Sequence, residues 1–472
     1  MLEITPVLNG NRKEPLYLQL YTYIKDEIYS GNIAPSIRLP SVRKLSDYLQ
    51  VSRNTIEAAY QQLVAEGYVE SRPRSGLYVT PMDKEPLFLQ NLLPVPSQSG
   101  NEWSRNEAGA CLYDFKYGTI DPDSFPYAAW RKAINQCVHP DEQELLFYGE
   151  PIGEYGLRAQ IASYLRQARG VSCCAEQIVL GAGTQQSLGM VCQLLGTDKR
   201  KIAMEEPGYD GARIVFENCG WSTAPIPLED DGLSLEKLEK SEAKLVYVTP
   251  SHQFPYGMVM SITKRLKLLQ WARECGGIII EDDYDGEFRY TGKPIPSLQG
   301  LDAGENVIYM GTFSKSLLPS LRISYIVLPR RLMEEYKRKF GAYGQPVSRM
   351  QQKALQLFME SGEWERHIRR VRNIYHKRNF ALLESIKTIM QEKVRIIGKD
   401  SGLHMLLEVR SRRSEEELIE AAEKYGVKVY PTSRYWVHPP KMGHPFILLG
   451  FGGLSEEKIE QGIRRLHEAW FS

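Results

Sequence analysis

Apolar positions Leu16, Leu20, Tyr23, Ile24 and Ile28 recur at helical spacing, which predicts a helix over 15–30 with one apolar face, stopped at Gly31. Ser41 can cap a second helix, 41–49, with Arg43 in its first turn. Val51-Ser52 reads as a turn and a second cap, opening a third helix over 52–66 that carries Ala59, Leu63 and Val64 inward. Beyond Gly67, the segments Tyr68-Val69-Glu70 and Leu77-Tyr78-Val79 flank Arg72, Arg74, Ser75 and Gly76. That pattern predicts a two-stranded wing with a basic tip.

The pattern then changes twice. Over 81–112, Pro81, Pro86, Pro94, Pro96, Ser97, Ser99 and Gly100 break any helix or strand, a composition that fits a linker. From 113 onward, short apolar runs alternate with longer helical patterns, as in a mostly parallel α/β sheet. Five runs, at 178–180, 202–204, 245–248, 278–280 and 307–310, each lead into a polar loop. A long helical stretch over 348–391 precedes strands near 394–398, 403–409 and 446–450 and a last helix over 455–470. The division expected is a head at 12–80, a linker at 81–112 and a body at 113–472, with a smaller subdomain from about 330.

Composition narrows the class. The 472 residues are 42% hydrophobic and 25% charged, with net charge +1, which is ordinary for a soluble globular chain and excludes a polycation. No apolar run approaches the ~18 residues of a membrane span, and Met1 to Gly10 lacks a signal pattern. The seven cysteines form no CxxC framework, so no metal site is expected and a reduced, cytoplasmic chain is the simplest reading. The vicinal Cys173-Cys174 is read as inert.

The head suits duplex DNA. A recognition helix enters the major groove by its N-terminal end, where free N–H groups favour phosphates. Arg53 and Asn54 can make bidentate contacts to base edges. Over 36–55, Arg38, Arg43, Lys44 and Arg53 face only Asp47, so positive charge is concentrated where contact is expected. The block Leu39-Pro40-Ser41-x-Arg43, Val51-Ser52-Arg53-Asn54-Thr55, Leu63-x-x-Glu66-Gly67 and Gly76-x-Tyr78-Val79 resembles the GntR winged helix. The resemblance implies DNA contacts from Ser41, Arg43, Ser52, Arg53, Asn54, Thr55, Ser75 and Gly76. Glu57 stands where that family often has a basic residue, which leaves base preference open.

In the body, ligands of an open α/β sheet bind beyond the carboxyl ends of the strands, so the five loops converge on one pocket. Each loop offers a group that pyridoxal phosphate needs. Lys315, in a Ser-Lys-Ser turn, can form a Schiff base. Asp282 can pair with the pyridine nitrogen. Gly183, Thr184 and Gln185 at a helix start, with Thr312, Ser314 and Arg322, can hold the phosphate. Tyr209 can stack on the ring. Tyr284, or a group such as Gln253 in the loop 251–253, can meet the ring's phenolic oxygen.

Together, in this order, these residues resemble the fold-type I aminotransferases from about 113 to 471. Arg434 falls where that family clamps a substrate carboxylate. A GntR head on such a body resembles the MocR/GabR regulators. Glu205-Glu206-Pro207-Gly208-Tyr209, Pro250-Ser251-His252-Gln253-Phe254-Pro255, Ile280-Glu281-Asp282-Asp283-Tyr284-Asp285 and Gly311-Thr312-Phe313-Ser314-Lys315-Ser316-Leu317 carry the likeness. It implies a winged helix-turn-helix domain plus large and small aminotransferase-like domains, and a head-to-tail, domain-swapped homodimer on repeated operator DNA. It further implies an amino compound or a vitamin B6 form as effector, sensed through an aldimine at Lys315. The GABA-responsive member has arginines after its stacking tyrosine, whereas this chain has Asp210-Gly211, so GABA is not the expected effector. The alternative is a working aminotransferase with a DNA-binding appendage; a cofactor-storage role has no specific support in the sequence.

Overall fold

The computed structural model describes residues 4–6, 8, 14–73, 75–81, 111–196, 200–290, 295–302, 305–439 and 443–472. They fall into two compact units, Met1–Asn106 and Glu107–Ser472. Arg74 at the wing tip and almost all of the expected linker, 82–110, lie outside the described residues.

The first unit holds α1 (Leu16–Tyr29), α2 (Val42–Leu49), α3 (Arg53–Ala65), β1 (Val69–Arg72) and β2 (Gly76–Val79). Helical spacing places Leu20, Ile24 and Ile28 of α1 against Leu45 of α2 and Ile56, Ala59 and Leu63 of α3 in one core. Tyr21 and Tyr60 join it, and Tyr60 donates from its hydroxyl to Pro40 O at 2.9 Å. Each predicted cap forms: Ser41 accepts from Lys44 N–H and Ser52 from Thr55 N–H. β1 and β2 pair antiparallel. The strip before α2 joins them, with Leu39 N donating to Leu77 O and Val79 N to Ile37 O.

The second unit begins with β3 (Tyr113–Asp114), α4 (Tyr127–Cys137) and α5 (Tyr155–Arg169). Then come β4 (Ile178–Gly181), α6 (Thr184–Leu195), β5 (Lys201–Glu206), α7 (Asp210–Asn218), β6 (Ser222–Glu229) and β7 (Gly232–Leu233). They are followed by α8 (Leu235–Lys240), β8 (Leu245–Val248), α9 (Ile262–Cys275), β9 (Ile278–Asp283), β10 (Val307–Thr312) and β11 (Ser324–Val327). The sheet runs β4-β11-β10-β9-β8-β5-β6-β7. β10, β9, β8, β5 and β6 are mutually parallel, while β11 lies antiparallel between β4 and β10. All five expected strands are present. Alternate residues enter cores on opposite faces: Ile280 and Met310 pack with α6 and α7, Tyr309 with α5, and Ile279 with α9. Burial on both faces is why these strands read as unbroken apolar runs.

The expected helix over 348–391 is divided. After α10 (Arg330–Phe340) come α11 (Arg349–Glu360) and α12 (Glu363–Ser385), separated at Gly362, which adopts φ +71°. A turn of π-helix over Ile386–Met390 ends the stretch. β12 (Val394–Ile397), β13 (His404–Val409), α13 (Glu415–Lys424), β14 (Val427–Lys428), β15 (Tyr430–Pro431), β16 (Phe446–Gly450) and α14 (Glu456–Phe471) complete the chain. The small sheet runs β12-β13-β16-β15, and β14 pairs with β3, which ties the start of the body to its end. In packing terms the small core takes Phe115, Phe288 and side chains from Val371 onward, while Leu332 to Ile368 pack into the cores of the large sheet. No described helix is long and apolar enough to cross a membrane.

Candidate functional site

Beyond the carboxyl ends of the parallel strands lies a cavity of about 160 Å³. Thr184, Gln185, Tyr209, Asp282, Tyr284, Thr312, Ser314, Lys315 and Arg322 line it, with Tyr117, Tyr247, Thr249 and Phe254. Nine of the residues singled out in the sequence are thus brought to one place.

Strand parity decides which carboxylate of Glu281-Asp282-Asp283 reaches the cavity. Glu281 turns to the other face and accepts from the N–H groups of Leu298 and Gln299 at 2.7 and 2.8 Å. Asp283 also faces away, taking Arg169 Nε at 2.6 Å and the Tyr309 hydroxyl at 2.7 Å. Asp282 faces inward. Its Oδ2 accepts from the Tyr247 hydroxyl at 2.5 Å, and its Oδ1 is buried with no partner among the described residues. Burial pushes the Asp282 carboxyl up to about 7, opposed by the Tyr247 hydrogen bond. Lys315, on the turn after β10, lies with Nζ 4.2 Å from the Tyr117 ring centroid. Burial lowers its amine to about 8, against the opposing charge of Asp285. Such an amine is in part unprotonated near neutral pH and so is nucleophilic.

The anion-holding end is built at the start of α6. Gly183 is its N-cap, at φ +97° and without a side-chain cap, which leaves the helix start open to a ligand. A Cβ here would come 1.9 Å from the Arg322 guanidinium, so only glycine lets that cation close over the helix start. Thr312 Oγ1 holds Ser314 Oγ at 2.9 Å beside it. Tyr209 lines the cavity edge-on to Phe254, with centroids 5.9 Å apart. Tyr284 places its hydroxyl 2.9 Å from His252 O and 3.0 Å from His252 Nδ1.

Two of the expected residues stand outside the cavity lining. Gln253 does not line the cavity. Its amide is spent inside its own loop, donating to Pro207 O at 2.9 Å and Phe254 O at 2.6 Å and accepting from Tyr256 N–H at 3.1 Å. Buried carbonyls there need donors, and the Gln253 side chain supplies them. Arg434 also lies outside the cavity lining and is engaged by a carboxylate of the chain itself. Its Nε and Nη2 reach Asp210 Oδ2 at 2.7 and 2.5 Å.

Of the lining residues not foreseen, Tyr247 had a signal: a lone phenol in an aliphatic strand beside the strand that carries Asp282. Tyr117 had none, because it reaches the cavity from a loop far from it in sequence.

In the head, Arg43, Arg53 and Asn54 are exposed, while Ile56, Ala59, Tyr60 and Leu63 turn the other side of α3 inward. Ser52 Oγ also bonds Thr55 Oγ1 at 2.8 Å, so both hydroxyls help form the cap. Ser75 Oγ meets the Tyr78 hydroxyl at 2.7 Å, and a Cβ on Gly76 would lie 3.0 Å from Arg38 Nε. Arg38 of the basic stretch thus packs against the wing.

Residues 16–79 match the family described as bacterial regulatory proteins, gntR family, and residues 114–466 match aminotransferase class I and II. The chain is 45% identical over 470 residues to the uncharacterized HTH-type transcriptional regulator YdeL of Bacillus subtilis, covering 99% of this chain and 100% of that protein. It is 34% identical to the probable rhizopine catabolism regulatory protein MocR of Rhizobium meliloti, covering 99% and 96%. Among solved structures it resembles the α-aminoadipate aminotransferase LysN of Thermus thermophilus, determined with N-(5'-phosphopyridoxyl)-L-leucine. That match has TM-score 0.68 and 27% identity over 75% of this chain and 91% of that one. The chain belongs to the MocR-type transcriptional regulators, in which a DNA-binding gntR-family head is joined to an aminotransferase body whose family cofactor is pyridoxal phosphate.

Proposed function

We propose that this regulator holds pyridoxal phosphate at Lys315 and changes its grip on operator DNA when an amino compound, or the vitamin itself, occupies the body. The observation that carries this is the pairing, in one cavity, of a buried amine lowered to about 8 with a buried carboxylate oxygen that lacks a partner. The residues fit the group. Asp282 Oδ1 is free to meet a ring nitrogen, Arg322 and the start of α6 to meet a phosphate, and Lys315 to meet an aldehyde. When bound, the cofactor supplies an aldehyde that condenses with amines and a ring that withdraws electrons from the product.

The chain's own groups do the rest. Asp282 anchors one end and Arg322 the other, which fixes the distance between them. Tyr209 and Phe254 limit access of water from one side. Lys315 would be held when the aldehyde engages it and would otherwise stand as a buried amine near the charge of Asp285, and the difference between these two conditions would give the body two states to choose between. An effector shifts DNA binding only by its difference in affinity for those states. The well-formed head and relatives that are regulators over their whole length support this reading over a working aminotransferase.

The same reading includes a homodimer. Leu146, Phe147 and Tyr148 stand consecutively in the open, with Tyr148 fully exposed. Such an apolar strip is suited to burial against a second copy.

The test is to measure affinity for operator DNA with the apo-protein, the pyridoxal-phosphate form and that form with amino acids. Lys315→Ala should abolish the visible absorbance and the response while basal DNA binding survives. An unchanged response in that variant would defeat the proposal.

A further inference from the structure

Next to the cavity lies a buried pair that the cofactor contacts do not use. His252 and Asp285 are 3% and 2% exposed, and His252 Nδ1 lies 3.0 and 2.9 Å from the two carboxylate oxygens of Asp285. Nδ1–H is therefore the donor to Asp285, and His252 Nε2 is left buried with no partner among the described residues. The Tyr284 oxygen sits 3.0 Å from the same Nδ1 and 2.9 Å from the His252 carbonyl.

The space is shaped for this ring. A Cβ on Gly402 would fall 2.0 Å from His252 Cε1 and 2.8 Å from Asp285 Oδ2, so a backbone from the small sheet closes directly over the pair. Tyr290 and Phe288 hold that backbone in place, with the Tyr290 hydroxyl donating to Gly402 O at 2.6 Å and Gly402 N donating to Phe288 O at 2.7 Å.

We propose that His252 and Asp285 are positioning residues that hold the Tyr284 oxygen from behind, so that its proton is free to be donated into the cavity. The proposal rests on the cofactor reading above and deepens it. With no ligand the Tyr284 hydroxyl donates to the His252 carbonyl. When an acceptor oxygen occupies the cavity, rotation about the phenol C–O bond turns the proton toward it, and the single His252 Nδ1–H, held by Asp285, is shared with the oxygen left behind in a three-centre contact. Burial and the charge of Asp285 keep the Tyr284 phenol well above its ordinary value, so it acts as a donor and not as an anion. The other charged or titratable groups facing them are His404 from β13, which burial lowers to about 3, Lys315, Asp282, and the phenols of Tyr117, Tyr247 and Tyr290. His404 stays neutral through the accessible range and does not compete.

A donor stabilises the anionic form of an acceptor oxygen and weakens that oxygen's hold on a nearby proton, so losing it raises the pH midpoint of the bound chromophore. The experiment is a pH titration of visible absorbance in full-length protein loaded with pyridoxal phosphate. Wild type, His252→Gln, Tyr284→Phe and the double variant are compared, with melting temperature as the check on folding. Tyr284→Phe should raise the midpoint by about one pH unit, a tenfold change. His252→Gln should raise it in the same direction by a smaller amount, and should add nothing in the Tyr284→Phe background. His252→Ala repeats the test with a side chain that cannot reach Asp285. A His252 shift of equal size with and without the Tyr284 hydroxyl, or no His252 shift where Tyr284→Phe gives one, overturns the proposal. A wild-type protein that forms no chromophore overturns the cofactor reading beneath it.

Discussion

Asp282→Asn should make the apo-protein more stable and leave it unable to use its cofactor. The carboxyl is pushed from 3.8 to about 7 by burial. The shift of about three units corresponds to on the order of 4 kcal/mol at 1.36 kcal/mol per unit. Because the folded value is raised above the unfolded one, the ionised carboxylate destabilises the fold. The penalty is absent below about pH 3.8, grows as pH rises, and is complete above about pH 7. Asparagine removes it and keeps a carbonyl to accept from Tyr247, at the cost of roughly 1 kcal/mol for an amide NH2 buried where Oδ1 has no partner among the described residues. The burial effect wins, which leaves a net gain of about 3 kcal/mol, or a few degrees in the melting transition of the body. Thermal melts of apo-protein at pH 8 and pH 5 give the answer. The variant should melt higher at pH 8, and the advantage should shrink markedly at pH 5. Added pyridoxal phosphate should stabilise the wild type by mass action and the variant far less. A variant that is less stable at pH 8, or a difference that does not move with pH, would refute the reasoning.

Other outcomes follow from the head. Arg53→Ala and Asn54→Ala should each weaken operator binding by about 1–3 kcal/mol and relax preference at particular base positions, with no change in melting, because both side chains are exposed. Footprinting against a panel of single-base operator variants would check this, and a uniform loss across all sequences would count against it. Ser52→Ala should cost about 1 kcal/mol of head stability by removing the cap on α3. Its effect on DNA should therefore appear partly as unfolding, read by circular dichroism of the isolated transition.

The chain shows which of its structure was written locally. Caps at Ser41 and Ser52, the helical spacing of α1 and the apolar runs of the parallel strands are short-range signals, and each forms as read. What the sequence hid was long-range. β11 enters antiparallel between β4 and β10, and nothing in Ser324–Val327 states that direction. Gly362 divides a stretch whose apolar spacing continues on both sides of it. At the site, residues whose chemistry is distinctive, Lys315 and Asp282, could be picked out, because few arrangements place an amine and an acid at neighbouring strand ends. Gln253 stands apart from the cavity because an amide both donates and accepts, and the backbone around its own loop takes both. Tyr247 was passed over because a phenol in a strand reads as core until its hydroxyl partner is known.

If Arg434 meets an effector carboxylate, as the family resemblance implies, the chain's own structure limits what that contact gains. Its fork is closed on Asp210, and Arg213 donates to the Arg434 carbonyl at 2.9 Å. A carboxylate ligand reaching that guanidinium would exchange one carboxylate for another, so its gain is only the difference between the two. The Arg434 side chain is 61% exposed. Asp210 is buried, but with the arginine end in solvent the pair is worth on the order of 1 kcal/mol, about fivefold in affinity, and less in high salt. Asp210→Ala should therefore improve binding of amino acids by about that factor relative to amines of the same chain length without the carboxylate. Titration of both ligand sets against the loaded protein, at low and high salt, measures the difference. An equal change for both sets would mean that Asp210 screens nothing, and that the carboxylate of any effector is read elsewhere.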